Sequence, residues 1–210
     1  MRALPGITRL LLVLVAIVLG LSPAHAQKTA KEAEAIPEFD KYKPFRHPGE
    51  KHQALNAFEG KWEARLTAWL HGTPPPKVEM KATLDNRWAY GRRFVEGTYI
   101  LAQQSKPGEA AGVHVTGVYF FGHHNETGEY FNYFFADDHV IPTISTGRYD
   151  ATARVFTFEG GEHDPVTGDD FTKIEIFRLN SADEMAYEQR YRFADGTEIK
   201  AAEGTFRRVP

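Results

Sequence analysis

The 210 residues contain no cysteine. Disulfides, thiolate catalysis and Cys-ligated metals are therefore excluded. Positive charge is also short. The 25 Lys and Arg stand against 28 Asp and Glu, for a formal net charge of −3. Nucleic acid and anionic lipid both reward a basic patch, so neither is expected as a partner. The catalytic signatures of two large hydrolase classes are missing. "TISTG" is not Gly-x-Ser-x-Gly, and beyond residue 26 only Ser105, Ser145 and Ser181 offer a hydroxyl of that kind. His-Glu-x-x-His is absent as well.

Long apolar runs are scarce too. The longest, Leu10 to Leu21, is too short to span a bilayer comfortably. It follows Arg2 and Arg9 and precedes Ala24-His25-Ala26, a small-x-small cleavage signal. Residues 1–26 are expected to be a signal peptide, removed after Ala26. The mature chain would carry a net charge of −5, since only the two arginines leave with that segment. No Arg-Arg pair precedes the run, and no Cys follows it to take a lipid. The expected location is periplasmic or secreted, with no stable membrane anchor after cleavage.

Residues 27–46 are charged and interrupted by Pro37 and Pro44, which predicts a flexible leader. Residues 47–210 are expected to form one domain. It begins with a short helix in "HPGEKHQALNAFEG", with Leu55 and Phe58 on one face.

From Gly60 the apolar period changes to two. Trp62, Ala64, Leu66 and Ala68 alternate with polar residues, as do Val78, Met80, Ala82 and Leu84. The least ambiguous run is Glu184–Phe193: Met185, Tyr187, Gln189, Tyr191 and Phe193 on one face, charges on the other. Such alternation marks strands with one face toward an apolar interior. Turn-forming clusters such as "HGTPPP", "NETG", "DPVTG", "NSAD" and "ADG" separate the runs. Roughly ten short strands joined by hairpins form a meander. A meander this long exposes its edges unless it closes, so the expected fold is all-β: an up-and-down antiparallel barrel with one short N-terminal helix.

"FFGHHNETGEYFNYFF" (Phe120 to Phe135) places two histidines beside a turn. With Gly128 in the left-handed position, the register sets His123 opposite Tyr130, Phe121 opposite Asn132 and Tyr119 opposite Phe134. Neighbours on a strand point to opposite faces, so His123 and His124 do not share one metal. No metal site is expected. "HDPVTGDD" gathers acids in a loop without EF-hand spacing, and the acids of "FADDH" suit a solvated strand end.

Several stretches resemble a known family. The short helix leading into Gly60-Lys61-Trp62 is similar to the Gly-x-Trp signature of lipocalins and other calycin barrels. "HQALNAFEGKWEA", "GRRFVEGTY", "GVYFFGHHNETGEYFNYFFAD", "GRYDATARVFTFEGGEHDPVTG" and the closing "GTFRR" resemble the bacterial domain of unknown function 1579 over about residues 48–208. The resemblance implies a calycin-like barrel and carries no activity. It also implies that Trp62 packs under the barrel against a basic residue of the last strand, Arg207 or Arg208, in a structural role. Some calycin-like barrels bind haem through one histidine; His114, His123 and His139 are the candidates here, and no motif selects one, so no cofactor is expected.

Aromatic residues make up 13% of the chain. Strand parity predicts an inward set of Trp62, Trp88, Phe94, Tyr119, Phe121, Phe134, Tyr187 and Tyr191, with polar Glu96, Asn132, Gln189 and Glu203 among them. An unpartnered buried polar group costs about 1–3 kcal/mol. Polar groups at inward positions therefore favour an interior holding water or a ligand. The expected function is binding of a small hydrophobic or amphipathic molecule. The alternatives are an enzyme using inward Glu96 or Glu203 as acid or base, and a ligand-free structural barrel. Oligomeric state has no signal in the sequence.

Overall fold

The computed structural model describes residues 41–69, 76–103, 112, 114–138, 141–165 and 167–210. The expected signal peptide and most of the leader lie outside them. So do His139 and most of the "HGTPPP" turn. Phe45–Pro210 form a compact unit.

Among the described residues, ten antiparallel strands close into one barrel. They are β1 (Gly60–Trp69), β2 (Lys77–Ala89), β3 (Phe94–Gln103), β4 (His114–His123) and β5 (Tyr130–Ala136). The chain continues through β6 (Thr143–Asp150), β7 (Val155–His163), β8 (Asp170–Leu179), β9 (Glu184–Phe193) and β10 (Glu198–Val209). Each strand pairs with its neighbours in sequence, and β10 returns to pair with β1, so no edge remains. A helical turn, α1 (Lys43–Arg46), and a 3-10 helix, η1 (Glu50–Ala57), precede the strands. The β4–β5 hairpin has the expected register: His123 opposes Tyr130, Phe121 opposes Asn132 and Tyr119 opposes Phe134. Gly128 adopts φ +77°, and its N–H donates to the His124 carbonyl at 2.8 Å.

η1 caps one end of the barrel. Leu55 and Phe58 are fully buried there, and the Phe58 ring packs on Phe121, Phe156 and Phe177. The Phe58 carbonyl accepts from Trp62 Nε1 at 3.0 Å and from Asn86 Nδ2 at 2.7 Å, which ties the cap to β1 and β2. Trp88 Nε1 and Arg92 both donate to Asn56 Oδ1, at 3.0 and 2.7 Å. Above the cap the interior is filled. Trp62, Phe156, Phe158 and Met185 keep almost no solvent contact.

The Gly-x-Trp signature has a physical cause at this end. The Arg208 guanidinium stacks on the Trp62 ring at 4.2 Å and donates to the Glu59 carbonyl. Gly60 has φ +104°, and a Cβ there would collide with the Arg208 guanidinium. Both facts demand glycine. Of the two arginines expected against Trp62, Arg208 takes the place. Arg207 is one residue off in parity, faces solvent and pairs with Glu184 at 3.1 Å.

His52 on η1 and His123 on β4 meet edge to face at 5.3 Å beneath the cap. His52 Nδ1 accepts from the Gly49 N–H at 3.1 Å. Burial holds the His52 pKa below its usual value, and His123 and the Arg93 charge push the same way. The folded state therefore binds fewer protons at His52 than the unfolded chain, so stability is present above about pH 6.5 and falls as pH drops below it. Thermal melts between pH 7.5 and 5 are expected to show that loss, and His52→Gln to flatten it. An unchanged slope in the variant would exclude His52 as its source.

Candidate functional site

The two halves of the barrel interior differ. Inward residues toward the cap are buried. Those toward the other end, Ala68, Tyr99, Leu101, Phe134, Tyr187 and Tyr191, stay half-exposed although they face inward. Among the described residues, the half of the interior farther from η1 is therefore the more open one.

The polar residues of this open half form one network. Lys173 on β8 lies 3.0 Å from Glu162 on β7 and 3.8 Å from Glu175 on its own strand. Thr143 Oγ1 donates to Glu162 at 3.0 Å. Glu175 accepts from Asn132 Nδ2 and from the Tyr187 hydroxyl, each at 3.2 Å. That hydroxyl also lies 2.9 Å from Gln189 Oε1, and Gln189 Nε2 donates to the Tyr191 hydroxyl at 2.9 Å. Asn132 Oδ1 and Ser145 Oγ are buried and have no partner. Two carboxylates against one ammonium leave this interior with a net negative charge.

The electrostatics follow from burial. Burial alone would lower the Lys173 pKa, but the Glu175 and Glu162 charges outweigh it and the pKa is raised. Lys173 is held as an ammonium, which disfavours imine chemistry at neutral pH. The phenols of Tyr99, Tyr187 and Tyr191 are raised, first by burial and then by nearby carboxylates. They act as neutral hydrogen-bonding groups.

The expected inward set divides. Tyr119, Phe121, Asn132, Phe134, Tyr187, Gln189 and Tyr191 do face the interior. Tyr119 and Phe121 belong to the filled half, where the Tyr119 hydroxyl donates to Asn86. Phe94, Glu96 and Glu203 are corrections: all three face outward. Val95 opposes inward Trp88, and Glu96 opposes outward Arg87, with which it pairs at 3.3 Å. Cross-strand partners share a face, so β3 turns Val95, Tyr99 and Leu101 inward instead. In β10 the register shifts between Lys200 and Ala202. The bulge reverses parity, and Glu203 pairs outside with Lys200 at 2.7 Å. The acid–base alternative loses both carboxylates on which it rested.

The open half also contains groups not expected from the sequence: Glu162, Lys173, Glu175 and Thr143 in the network, with Ser145 and Tyr99 outside its hydrogen bonds. In "FTKIEIFRL" the usual pattern is inverted, with Lys173 and Glu175 inside and Ile174 and Ile176 outside. A signal was available. β9 alternates clearly, and the turn at 180–183 sets Tyr187 opposite Phe177, Gln189 opposite Glu175 and Tyr191 opposite Lys173.

The remaining histidines and acids are accounted for locally. His123 is buried, while His124 and His114 are exposed. His123 Nδ1 lies 3.2 Å from Asn125 Oδ1. His163 pairs with Asp170 at 2.8 Å, and Asp137 accepts from the Thr116 hydroxyl and N–H at 2.6 and 2.9 Å. Those Thr116 bonds hold the Asp137 pKa low. Among the described residues, no three His, Asp or Glu side chains gather as a metal site. A groove of about 1040 Å³ crosses the outer wall from β8 to β2, and Glu63, Arg65, Lys81, Glu188 and Arg207 line it. These are outward residues, but Ala64, Ala82, Tyr187 and Gly204 of the inward set also border the groove, so it adjoins the interior network at Tyr187.

Two solved structures share the architecture. Rv2717c from M. tuberculosis is 16% identical, with a TM-score of 0.56, over 78% of this chain and 100% of that chain. The S-type phycobiliprotein lyase CPES from Guillardia theta is 11% identical, with a TM-score of 0.53, over 83% of this chain and 99% of that one. At these identities the likeness is one of fold. No curated protein matches the chain significantly. The model of the family described as Protein of unknown function (DUF1579) matches residues 47–208, and the chain belongs to that family.

Proposed function

We propose that the open half of the barrel binds a small amphipathic molecule. Its polar end would meet Glu175, Gln189 and Tyr191, and its apolar body would lie against Leu101, Phe134 and Tyr99. One observation carries this reading: a buried Lys–Glu network stands among apolar residues in the more open half of the interior. A purely structural barrel has no use for it, because apolar residues of the same volume are often at least as stable as a buried ion pair. Small-molecule sites characteristically combine apolar walls with a few placed polar groups. The net negative charge favours a ligand that presents hydrogen-bond donors or a positive charge. No cofactor enters the proposal. Export to the periplasm is part of it, supported by Leu10–Leu21 and the Ala24-His25-Ala26 site.

Native mass spectrometry of the protein from its own cells tests both parts. The expected result is a chain beginning at Gln27 with an additional small-molecule mass that dissociates on activation. A chain beginning at Met1 contradicts the export reading. A bare mass under conditions that preserve weak complexes contradicts the binding reading.

A further inference from the structure

A second cavity, of about 400 Å³, lies at the capped end of the barrel. His52 and His123 are its buried members, and Arg93 and Phe94 are half-buried. Phe45, Arg46 and His47 are its exposed rim. No carboxylate lines it, although acids outnumber bases in the chain. Arginines elsewhere on the wall are paired: Arg87 with Glu96, Arg192 with Glu159 and Arg207 with Glu184. Arg93 instead donates to the carbonyls of Arg46 and Tyr90, at 2.8–3.0 Å. Among the described residues its charge has no ion-pair partner. Those carbonyls take three of its five N–H donors, which leaves two.

His123 supplies an independent observation. Asn125 Nδ2 donates to the Phe45 and His47 carbonyls at 3.3 and 2.8 Å. Asn125 Oδ1 is therefore the acceptor that lies 3.2 Å from His123 Nδ1. This fixes the proton of the neutral ring on Nδ1 and leaves Nε2 as a lone pair. His123 Nε2 is buried without a partner, in a residue only 9% exposed that borders the cavity. Buried polar atoms are nearly always satisfied, so an unpartnered one at a cavity wall calls for an occupant. His52 has the opposite tautomer. Its Nδ1 accepts from the Gly49 N–H, so Nε2 carries the proton as a donor.

We propose that this cavity binds a small aromatic carboxylate. The carboxylate would pair with the Arg93 guanidinium and the two imidazoles, in charge-assisted hydrogen bonds. The ring would lie against Phe45 and Phe94. A monoanion suits a single guanidinium that lacks an ion pair. On binding, His123 Nε2 would take a proton from solvent, which turns a repelling lone pair into a donor. The other groups around the imidazoles are Arg93 at the start of β3, Arg46 and His47 before η1, Asn125 after β4, and the Tyr130 phenol on β5, whose ring lies 4.9 Å from His123. None of them is negative at neutral pH. A bound anion would supply the missing negative charge and favour the protonated imidazoles. Affinity should therefore rise as pH falls from about 8 to about 6. The site is distinct from the open half of the interior, so either can fail without the other.

Isothermal titration of the whole chain with 1-naphthoate tests the proposal, with neutral 1-naphthalenemethanol as the control of similar shape. The wild type is expected to bind naphthoate with a dissociation constant of about 10–100 μM, and the alcohol at least about tenfold more weakly. His123→Phe keeps the ring packing and removes both nitrogens; Arg93→Gln removes the charge. Each is expected to weaken naphthoate at least about tenfold and to leave the alcohol unchanged. The pH arm uses the wild type alone and stands even if a variant loses its fold: naphthoate should bind several-fold tighter at about pH 6 than at about pH 8. Failure of the wild type to bind naphthoate overturns the proposal. So does equal affinity for acid and alcohol, undiminished binding in both folded variants, or an affinity that does not rise in acid.

Discussion

Lys173→Met is expected to lower the unfolding free energy by about 3–5 kcal/mol, because it leaves two buried carboxylates without their cation. Lys173 and Glu175 are both buried, and Glu162 is half-buried. Solvent screening should therefore reduce the loss only modestly. The pH dependence separates this mechanism from a simple loss of packing. Without the ammonium, Glu162 and Glu175 repel one another in the folded state, which favours proton uptake there. The folded variant then binds more protons than its unfolded chain, so its stability should recover as pH falls toward 5. The wild type should behave otherwise at the alkaline limit. The raised Lys173 pKa stabilises the fold below the unfolded value of about 10.5 and is lost as pH rises through the folded value. Urea midpoints of both proteins from about pH 5 to about pH 11 make the comparison. A variant with a wild-type midpoint, or with no recovery in acid, would mean that the three groups do not act as a unit.

Trp62→Ala is expected to cost about 3–5 kcal/mol. The side chain is fully buried, donates to the Phe58 carbonyl and carries the Arg208 guanidinium on its face. Part of the loss should come from loosening η1, one of whose ties to the barrel passes through that carbonyl. Arg208→Ala removes the stacking, the backbone bonds and the exposed Asp183 ion pair of the guanidinium, and should cost less, roughly 1–2 kcal/mol. Hydrogen exchange distinguishes the two. Trp62→Ala should lose protection in η1 and β1 together, whereas Arg208→Ala should lose it at the β1–β10 seam. Equal protection of η1 in Trp62→Ala and wild type would show that the cap is held by something else.

The fold was legible because its strongest signals are local. Alternation in β1, β2 and β9, and turn residues between runs, are set by a few neighbouring side chains. Gly128 sets the β4–β5 register in the same way. The site was only partly legible, because inward parity is a long-range property. In Phe94 to Leu101 the outward side mixes Phe94 and Ile100 with Glu96 and Thr98, so alternation there is weak and does not decide which face is inward. The pairing of Trp88 with Val95 decides it. The bulge after Lys200 has no strong local signature, yet it turns Glu203 outward. β8 runs against the usual rule, since Ile174 is buried on the outer wall while Lys173 and Glu175 are inside. Transferring parity from an unambiguous strand to its partner through the turn corrects β8. The same operation at the β2–β3 turn corrects β3.

The division into a filled half and an open half can be probed with two alanines on the inward face. Ala64 lies in the filled half, opposite Phe206 and Ala82, and is buried. Ala202 lies in the open half, opposite Ala68 and Gln189, and is half-exposed. The same substitution should therefore act in different ways. Ala64→Phe should overpack and cost about 1–3 kcal/mol. Ala202→Phe should enter the more open space, leave the urea midpoint near wild type and take the volume that a ligand needs. The decisive measurement is a fluorescence titration with the neutral apolar dye Nile red on wild type and Ala202→Phe. Saturable binding to the wild type is expected, with at least a tenfold loss in Ala202→Phe at an unchanged midpoint, or about 1.4 kcal/mol of binding free energy. No saturable binding to the wild type, or equal binding to both proteins, would contradict a binding site in the open half.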